Sequence, residues 1–265
     1  MFLTWLKSRR RRKLLQTPLA ELWRSWIASN VWHWHVLSNS QRRRLEGLVQ
    51  IFVAEKDFEG CDGLKVTDEI RVTIASAACM LLLGFEDTYC FDSARTILVY
   101  PVPTVQRNLR RADGSVSDFQ WLSGMVQHRG PVILSWRDVL RDCRHSQRLN
   151  NVVIHEFAHH VDGLDGAMEG LPPFPTRELQ DRWKQVSQRE LESLRQLVRS
   201  GLPTLLDPYG MENAAEFFAV ATEAFYCDGW RLAEEHSDLY ELLVALFGIE
   251  TRSWFQPLSR ESDLL

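Results

Sequence analysis

No stretch of the 265 residues approaches the roughly eighteen consecutive apolar residues that a membrane span requires, so no spanning helix is expected. Cysteine is scarce: Cys61, Cys79, Cys90, Cys143 and Cys227 are odd in number and form no C-x-x-C. They read as free, mostly buried thiols of a reducing, cytoplasmic compartment. A strong excess of one charge is missing too. The net charge of −4 argues against a general nucleic-acid binder, and the short basic clusters at 9–13, 42–44 and 107–111 read as solvated faces. No export signal is expected either. An apolar part of six residues, Met1 to Leu6, comes before the run Arg9 to Lys13, whereas a secretory signal places charge before a longer apolar stretch. A disordered basic tail is the expectation there, with weak contact to anionic lipid through Phe2, Trp5 and the arginines as the alternative. No internal repeat is found.

What the chain does have is Val152-Val153-Ile154-His155-Glu156-Phe157-Ala158-His159-His160-Val161, an H-E-x-x-H set among apolar residues. A helix turns about 100° per residue, so His155 and His159 share a face and can close two corners of a zinc tetrahedron. Glu156 stands beside them, where it can take a proton from water whose pKa zinc lowers to about 7. By chance the pattern arises in this many residues on the order of once or twice in a hundred chains. Burying His155, Glu156 and His159 in an apolar helix without a shared purpose would also be expensive. His160 projects about 100° from His159 and reads as a surface residue or a neighbour of the ligands, not a ligand.

A catalytic zinc, one per chain, needs a third protein ligand. Asp165 sits where the extended H-E-x-x-H-x-x-G-x-x-H motif puts one, but Asp162 occupies the glycine position and no methionine turn follows. The stronger candidate is on a second apolar helix starting at Asn213, a good N-cap, which carries Glu216 and Glu223 seven apart on one face. Glu216 could merely complete a capping box with Asn213. Its setting among Phe217, Phe218 and Ala219 favours it as ligand over Glu223. Asp162 lies on the face of His155 and His159; it either orients a ligand imidazole or is a helix-end surface charge.

The segment N-x-x-I-H-E-x-A-H-x-x-D from Asn151 to Asp162, with Asn150 before it, and A-E-x-F-A-V-x-x-E from Ala215 to Glu223, with Tyr209 ahead of it, resemble the Mlc titration factor A family of bacterial zinc peptidases. The second segment is also similar to the catalytic domain of anthrax lethal factor. The stretches 96–103 and 130–136 look like that family's upstream strands, so the resemblance covers roughly residues 45 to 250. It implies a gluzincin-like site: His155, His159 and Glu216 for zinc, Glu156 as general base, and Tyr209 near the reacting carbonyl. It also implies peptide or protein substrates, aminopeptidase-type activity, and a repressor of the Mlc type as a partner; the lethal factor similarity points instead to cleavage within a chain. Some family members carry an occluding histidine in a loop whose counterpart here, 111–119, has none; Asp113 or Asp118 could take its place.

The expected fold is α+β: a zincin-like peptidase domain over 41–255, with a small sheet above the H-E-x-x-H helix and a mostly helical C-terminal half. Residues 1–40 form a basic, Trp-rich segment holding half of the ten tryptophans, and 256–265 a tail. Leu22, Trp23, Trp26 and Ile27 recur at helical spacing and predict a docked helix, with a partner-binding stripe as the alternative. Helices are predicted over 41–55, from Thr67 or Asp68 to Gly84, and near 176–200, 213–227 and 237–248. Strands are predicted near 96–100 and 131–136, separated by a flexible polar loop. One of these two strands is expected to be the sheet edge that receives a substrate peptide. A surface that binds a repressor, with catalysis secondary, would lie on the Trp-rich N-terminus or the 104–123 loop.

Overall fold

The computed structural model describes residues 2–85, 91–106, 109–110, 116–117, 120–122, 124–126, 130–146 and 148–255; for 2–4, 6 and 104–126 only the backbone is described. The expected tail at 256–265 and Cys90, Asp113 and Asp118 lie outside these residues. In chain order the helices are α1 (Phe2–Leu14), α2 (Glu21–Asn30), α3 (Asn39–Glu55), α4 (Asp68–Cys79), α5 (Trp136–Arg144), α6 (Val152–Asp162), α7 (Arg177–Arg199), α8 (Ala214–Cys227), α9 (Gly229–Glu235) and α10 (Ser237–Phe247). The strands are β1 (Asp57–Gly60), β2 (Thr96–Tyr100), β3 (Thr104–Gln106), β4 (Leu109–Arg110), β5 (Val116–Ser117), β6 (Gln120–Leu122), β7 (Gly124–Val126) and β8 (Val132–Ser135). The protein is α+β and mostly helical.

Local chemistry explains the boundaries. Ser38 opens α3 with a reciprocal capping box to Gln41, and Thr67 accepts from the Ile70 amide at 3.4 Å to start α4. The apolar run of α4 continues through a 3-10 turn, Met80–Leu82, to Gly84. A Cβ on Gly84 would stand 2.1 Å from the Phe247 carbonyl oxygen, so the end of α4 packs directly on the end of α10. There Gly248, at φ 62, provides the left-handed stop.

The main sheet has the order β1-β2-β8-β7, with β1, β2 and β8 parallel and β7 antiparallel to β8. All four residues of β8 are buried, as befits a strand covered on both faces. This corrects the expected edge: 96–100 and 131–136 are the two central strands, and the edges are β1 and β7. The intervening segment is also more than a polar loop, since β3 pairs with β6 and β4 with β5 in antiparallel ladders.

The H-E-x-x-H helix α6 lies between β7 and α8. Asn151 caps it, its side-chain oxygen accepting from the Val153 and Ile154 amides at 3.1 and 3.2 Å. Val153, Ile154, Phe157, Ala158 and Val161 have no exposed surface, and Phe157 packs its ring 4.7 Å from Phe91 and 5.4 Å from Phe52. Burial of each larger side chain stabilises the fold by about 1.5–3 kcal/mol. That anchoring fixes the rotation of α6 and hence the direction of its polar face.

The N-terminal segment shares this core, with Ile27, Val31, Trp34 and Leu37 buried in the same cluster. Leu22, expected on the docked stripe, is 59% exposed instead. The basic run is not a disordered tail. It is helix α1, pinned by Arg11, which donates to Glu55 at 2.8 and 2.6 Å and to Asp92 at 2.9 Å. Free thiols are found at Cys61, Cys79, Cys143 and Cys227, all but Cys61 buried.

Candidate metal centre

Helices α6 and α8 face each other and bring His155, His159 and Glu216 together, with one nitrogen or oxygen from each within 4.8 Å of the others. The Nε2 atoms of His155 and His159 lie 3.0 and 3.4 Å from Glu216 Oε2. Those spacings bracket the ~3.3 Å edge of a tetrahedron drawn at zinc–ligand distances of about 2.0–2.1 Å. Burial alone would raise the Glu216 carboxyl, but hydrogen bonds from the two imidazoles override it and hold its pKa at about 2. Asn213 does cap α8, accepting from the Glu216 amide at 3.0 Å, yet the Glu216 carboxylate faces the histidines.

Glu223 is placed two turns further along α8, behind the first imidazole. Its Oε1 accepts from His155 Nδ1 at 2.6 Å, and its Oε2 accepts from the Asn151 amide, also at 2.6 Å. With a carboxylate at each ring nitrogen, the His155 pKa stands well above the ordinary imidazole value despite burial, which works against the charge. Glu223 therefore buttresses His155 and stands outside the three-residue cluster. This is the task for which Asp162 was one candidate. Asp162 is fully buried, accepts from the Gly170 amide at 2.8 Å and is pushed by burial to about 6. It is neither a surface charge nor bonded to a cluster imidazole among the described residues. Gly170 sits at φ 76, where a Cβ would meet the Ala214 carbonyl oxygen at 2.2 Å, so Asp162 ties the end of α6 to the start of α8.

Glu156 is 3% exposed and its Oε2 has no hydrogen-bond partner among the described residues. Burial raises its pKa to about 8, opposed by His155 and reinforced by Glu216 and Glu223. An orphaned carboxylate oxygen in an apolar helix is expensive unless something else occupies its neighbourhood in use. His160 points away and is buried, not superficial: its Nδ1 lies 3.1 Å from Ser93 Oγ, and burial lowers its pKa to about 4. Asp165 is exposed and accepts from the Ala167 amide at 3.0 Å, outside the cluster.

Tyr209 stands at the rim. It lies in a 3-10 turn, Pro208–Met211, whose amide at Tyr209 donates to Asp207 Oδ1 at 2.8 Å; Asn150, just before α6, donates to Asp207 Oδ2 at 2.8 Å. The turn is thus tied to the start of the H-E-x-x-H helix. The Tyr209 ring, 48% exposed, leans over His155 with centroids 5.9 Å apart at 40°. Partial burial, then the Glu216 and Glu156 carboxylates, push its phenol up to about 12, so the hydroxyl keeps its proton. Sequence reasoning weighed Glu223 only as a ligand. The seven-residue spacing that puts it on the face of Glu216 was the available signal.

The chain is similar to known proteins along most of its length. An uncharacterized protein of Synechocystis sp. is 36% identical over 244 residues, covering 91% of this chain and 88% of its own. Mlc titration factor A of Edwardsiella ictaluri is 30% identical over 218 residues, 77% of this chain and 78% of its own, and that of Escherichia fergusonii 27% over 221 residues, 81% of each. The model of the family described as glucose-regulated metallo-peptidase M90 matches residues 5–248, and the chain belongs to that metallopeptidase family.

Proposed function

We propose that the protein is a zinc-dependent peptidase in which His155, His159 and Glu216 hold the ion and Glu156 is the general base. The observation that carries this reading is the convergence of two imidazole nitrogens and one carboxylate oxygen beside the buried Glu156, whose Oε2 has no hydrogen-bond partner among the described residues. The donor set suits zinc: two neutral nitrogens and one carboxylate leave a fourth position open for chemistry. When bound there, zinc supplies a Lewis acid that polarises a carbonyl and acidifies water.

The chain's own residues supply the remaining steps. Glu156, with a pKa brought up to about 8, accepts the proton of the attacking water and then delivers it to the departing amine. Tyr209 keeps its proton and can donate to the oxygen that gains charge as the carbonyl becomes tetrahedral. Edge strand β7, antiparallel to its neighbour and adjoining α6, offers main-chain groups for pairing with an extended peptide. Tyr209→Phe removes only the hydroxyl and is expected to lower turnover about 10²–10³-fold with unchanged metal content. A folded, zinc-loaded Tyr209→Phe protein of full activity would reduce the residue to a packing role.

Aminopeptidase-type specificity is proposed on the family resemblance, and matched peptides with free and acetylated N-termini test it: equal cleavage of both would assign internal cleavage instead. Glu223 is proposed to position His155 for the ion. Glu223→Gln keeps the shape but weakens the 2.6 Å contact with Nδ1, and zinc affinity is expected to fall about 10–100-fold. Competition with a chromophoric chelator reads that change directly, and unaltered affinity would leave Glu223 as a helix-packing residue.

A second reading comes from the name of the relatives, Mlc titration factor A: the protein sequesters a transcriptional repressor and catalysis is secondary. Glu156→Gln separates the two. A repressor-titration reporter that responds equally to the wild-type protein and to this variant supports sequestration, and loss of the response ties it to hydrolysis.

A further inference from the structure

Helix α1 carries six cations, Lys7, Arg9, Arg10, Arg11, Arg12 and Lys13, and no acidic residue. Taking that +6 from the net charge of −4 leaves −10 on the remaining residues. Two of the six face the body of the protein: Arg11 bonds Glu55 and Asp92, and Lys7 reaches Asp92 at 2.6 Å. Arg9, Arg10, Arg12 and Lys13 are exposed and make no ion pair with a described residue. Helical rotation gathers Trp5, Arg9, Arg12 and Lys13 into an arc of roughly 100°, opposite Lys7 and Arg11. Trp5 is 51% exposed, and the Arg9 guanidinium lies 5.5 Å from its ring centroid.

Next to this arc, α1, α2 and α3 enclose an open groove of about 620 Å³. Leu14, Leu19, Trp23 and Val53 form its apolar wall, and the cationic Arg10 and Lys13 also line it. Leu15, just past the end of α1, and Leu22, in α2, are 44% and 59% exposed. Unpaired cations beside an interfacial tryptophan and an open apolar groove are what a surface needs to meet headgroup charge and acyl chains together. A polyanion lacking an apolar part would leave the groove unused, and a long one would meet the −10 of the other residues.

We propose that the outer face of α1, with the groove it shares with α2 and α3, docks peripherally on an anionic lipid bilayer. No helix among the described residues is long and apolar enough to cross a membrane, and the association proposed is superficial and reversible. Salt weakens it, because the cations act over about a Debye length.

Co-sedimentation of the full chain with vesicles tests this, without reference to peptidase activity. Vesicles of phosphatidylcholine containing about one-third phosphatidylserine should retain the protein at low salt, and pure phosphatidylcholine vesicles should not. The triple variant Arg9→Glu, Arg12→Glu, Lys13→Glu should lose at least about a hundred-fold in partitioning, at roughly fivefold per cation removed. It leaves the Arg11 contacts intact, and an unchanged thermal midpoint will show that it is folded. Brominated acyl chains should quench part of the tryptophan emission, a part that Trp5→Phe diminishes. Equal binding to neutral and anionic vesicles, no binding to either, or wild-type partitioning by the charge-reversed variant each overturns the proposal. So does an oligonucleotide that competes with the vesicles on equal terms per charge, which would mark a general polyanion site.

Discussion

Glu156→Gln is expected to lower kcat about 10²–10⁴-fold while the protein keeps about one equivalent of zinc and its thermal midpoint. The amide preserves the volume of a side chain that is 3% exposed, so packing is unaltered, but it cannot accept a proton. Loss of a base that acts in the transition state should appear in kcat more than in KM. The free chain holds Glu156 near 8 because burial and two neighbouring carboxylates oppose its ionisation. A divalent cation at His155, His159 and Glu216 would favour the ionised form, so the acidic limb of the kcat/KM profile should lie below 8 and vanish in the variant. Turnover within a few-fold of wild type would exclude Glu156 as the base.

The central pair of helices was legible in the sequence because their information is local. His155, Glu156 and His159 are spaced by the helix itself, Asn151 and Asn213 cap where polarity requires, and the apolar positions of α6 state which face is buried. Sheet order was not legible. Whether 96–100 or 131–136 lies at an edge depends on the pairing of β1 and β7, and β7 has three residues with little pattern of their own. The fate of Asp162 was hidden for a similar reason: its position on the His face is a helical fact, but its partner is the amide of Gly170 in a distant part of the following loop. Glu223 was visible as a residue and weighed only as the less favoured ligand, since only the docking of α8 on α6 sets which carboxylate reaches Nε2 and which reaches Nδ1. In α1, the charge pattern alone could not distinguish a loose tail from a helix. Arg11 decides it through partners 44 and 81 residues away.

Glu216→Ala is expected to cost more zinc affinity than the 10–100-fold assigned to an orienting partner, because it removes a ligand atom and not merely its support. The side chain's withdrawal also removes the carboxylate that lies 3.0 Å from His155 Nε2 and 3.4 Å from His159 Nε2. Peptidase activity should fall with metal content and return only partly at excess zinc, since two imidazoles alone hold the ion loosely. Asp165→Ala is the matched control: its carboxylate is exposed and caps the Ala167 amide, so zinc content should be unchanged. Acid offers a second readout of the same site. In the metal-free chain His155 retains its proton to a pH above the ordinary imidazole range, so zinc must displace that proton to bind. Wild-type affinity should therefore decline as pH falls through the raised His155 pKa. In Glu216→Ala one carboxylate no longer holds that proton, and the decline should begin at lower pH. Stoichiometric, tight zinc in Glu216→Ala together with zinc loss in Asp165→Ala would move the third ligand to the loop after α6 and overturn the assignment.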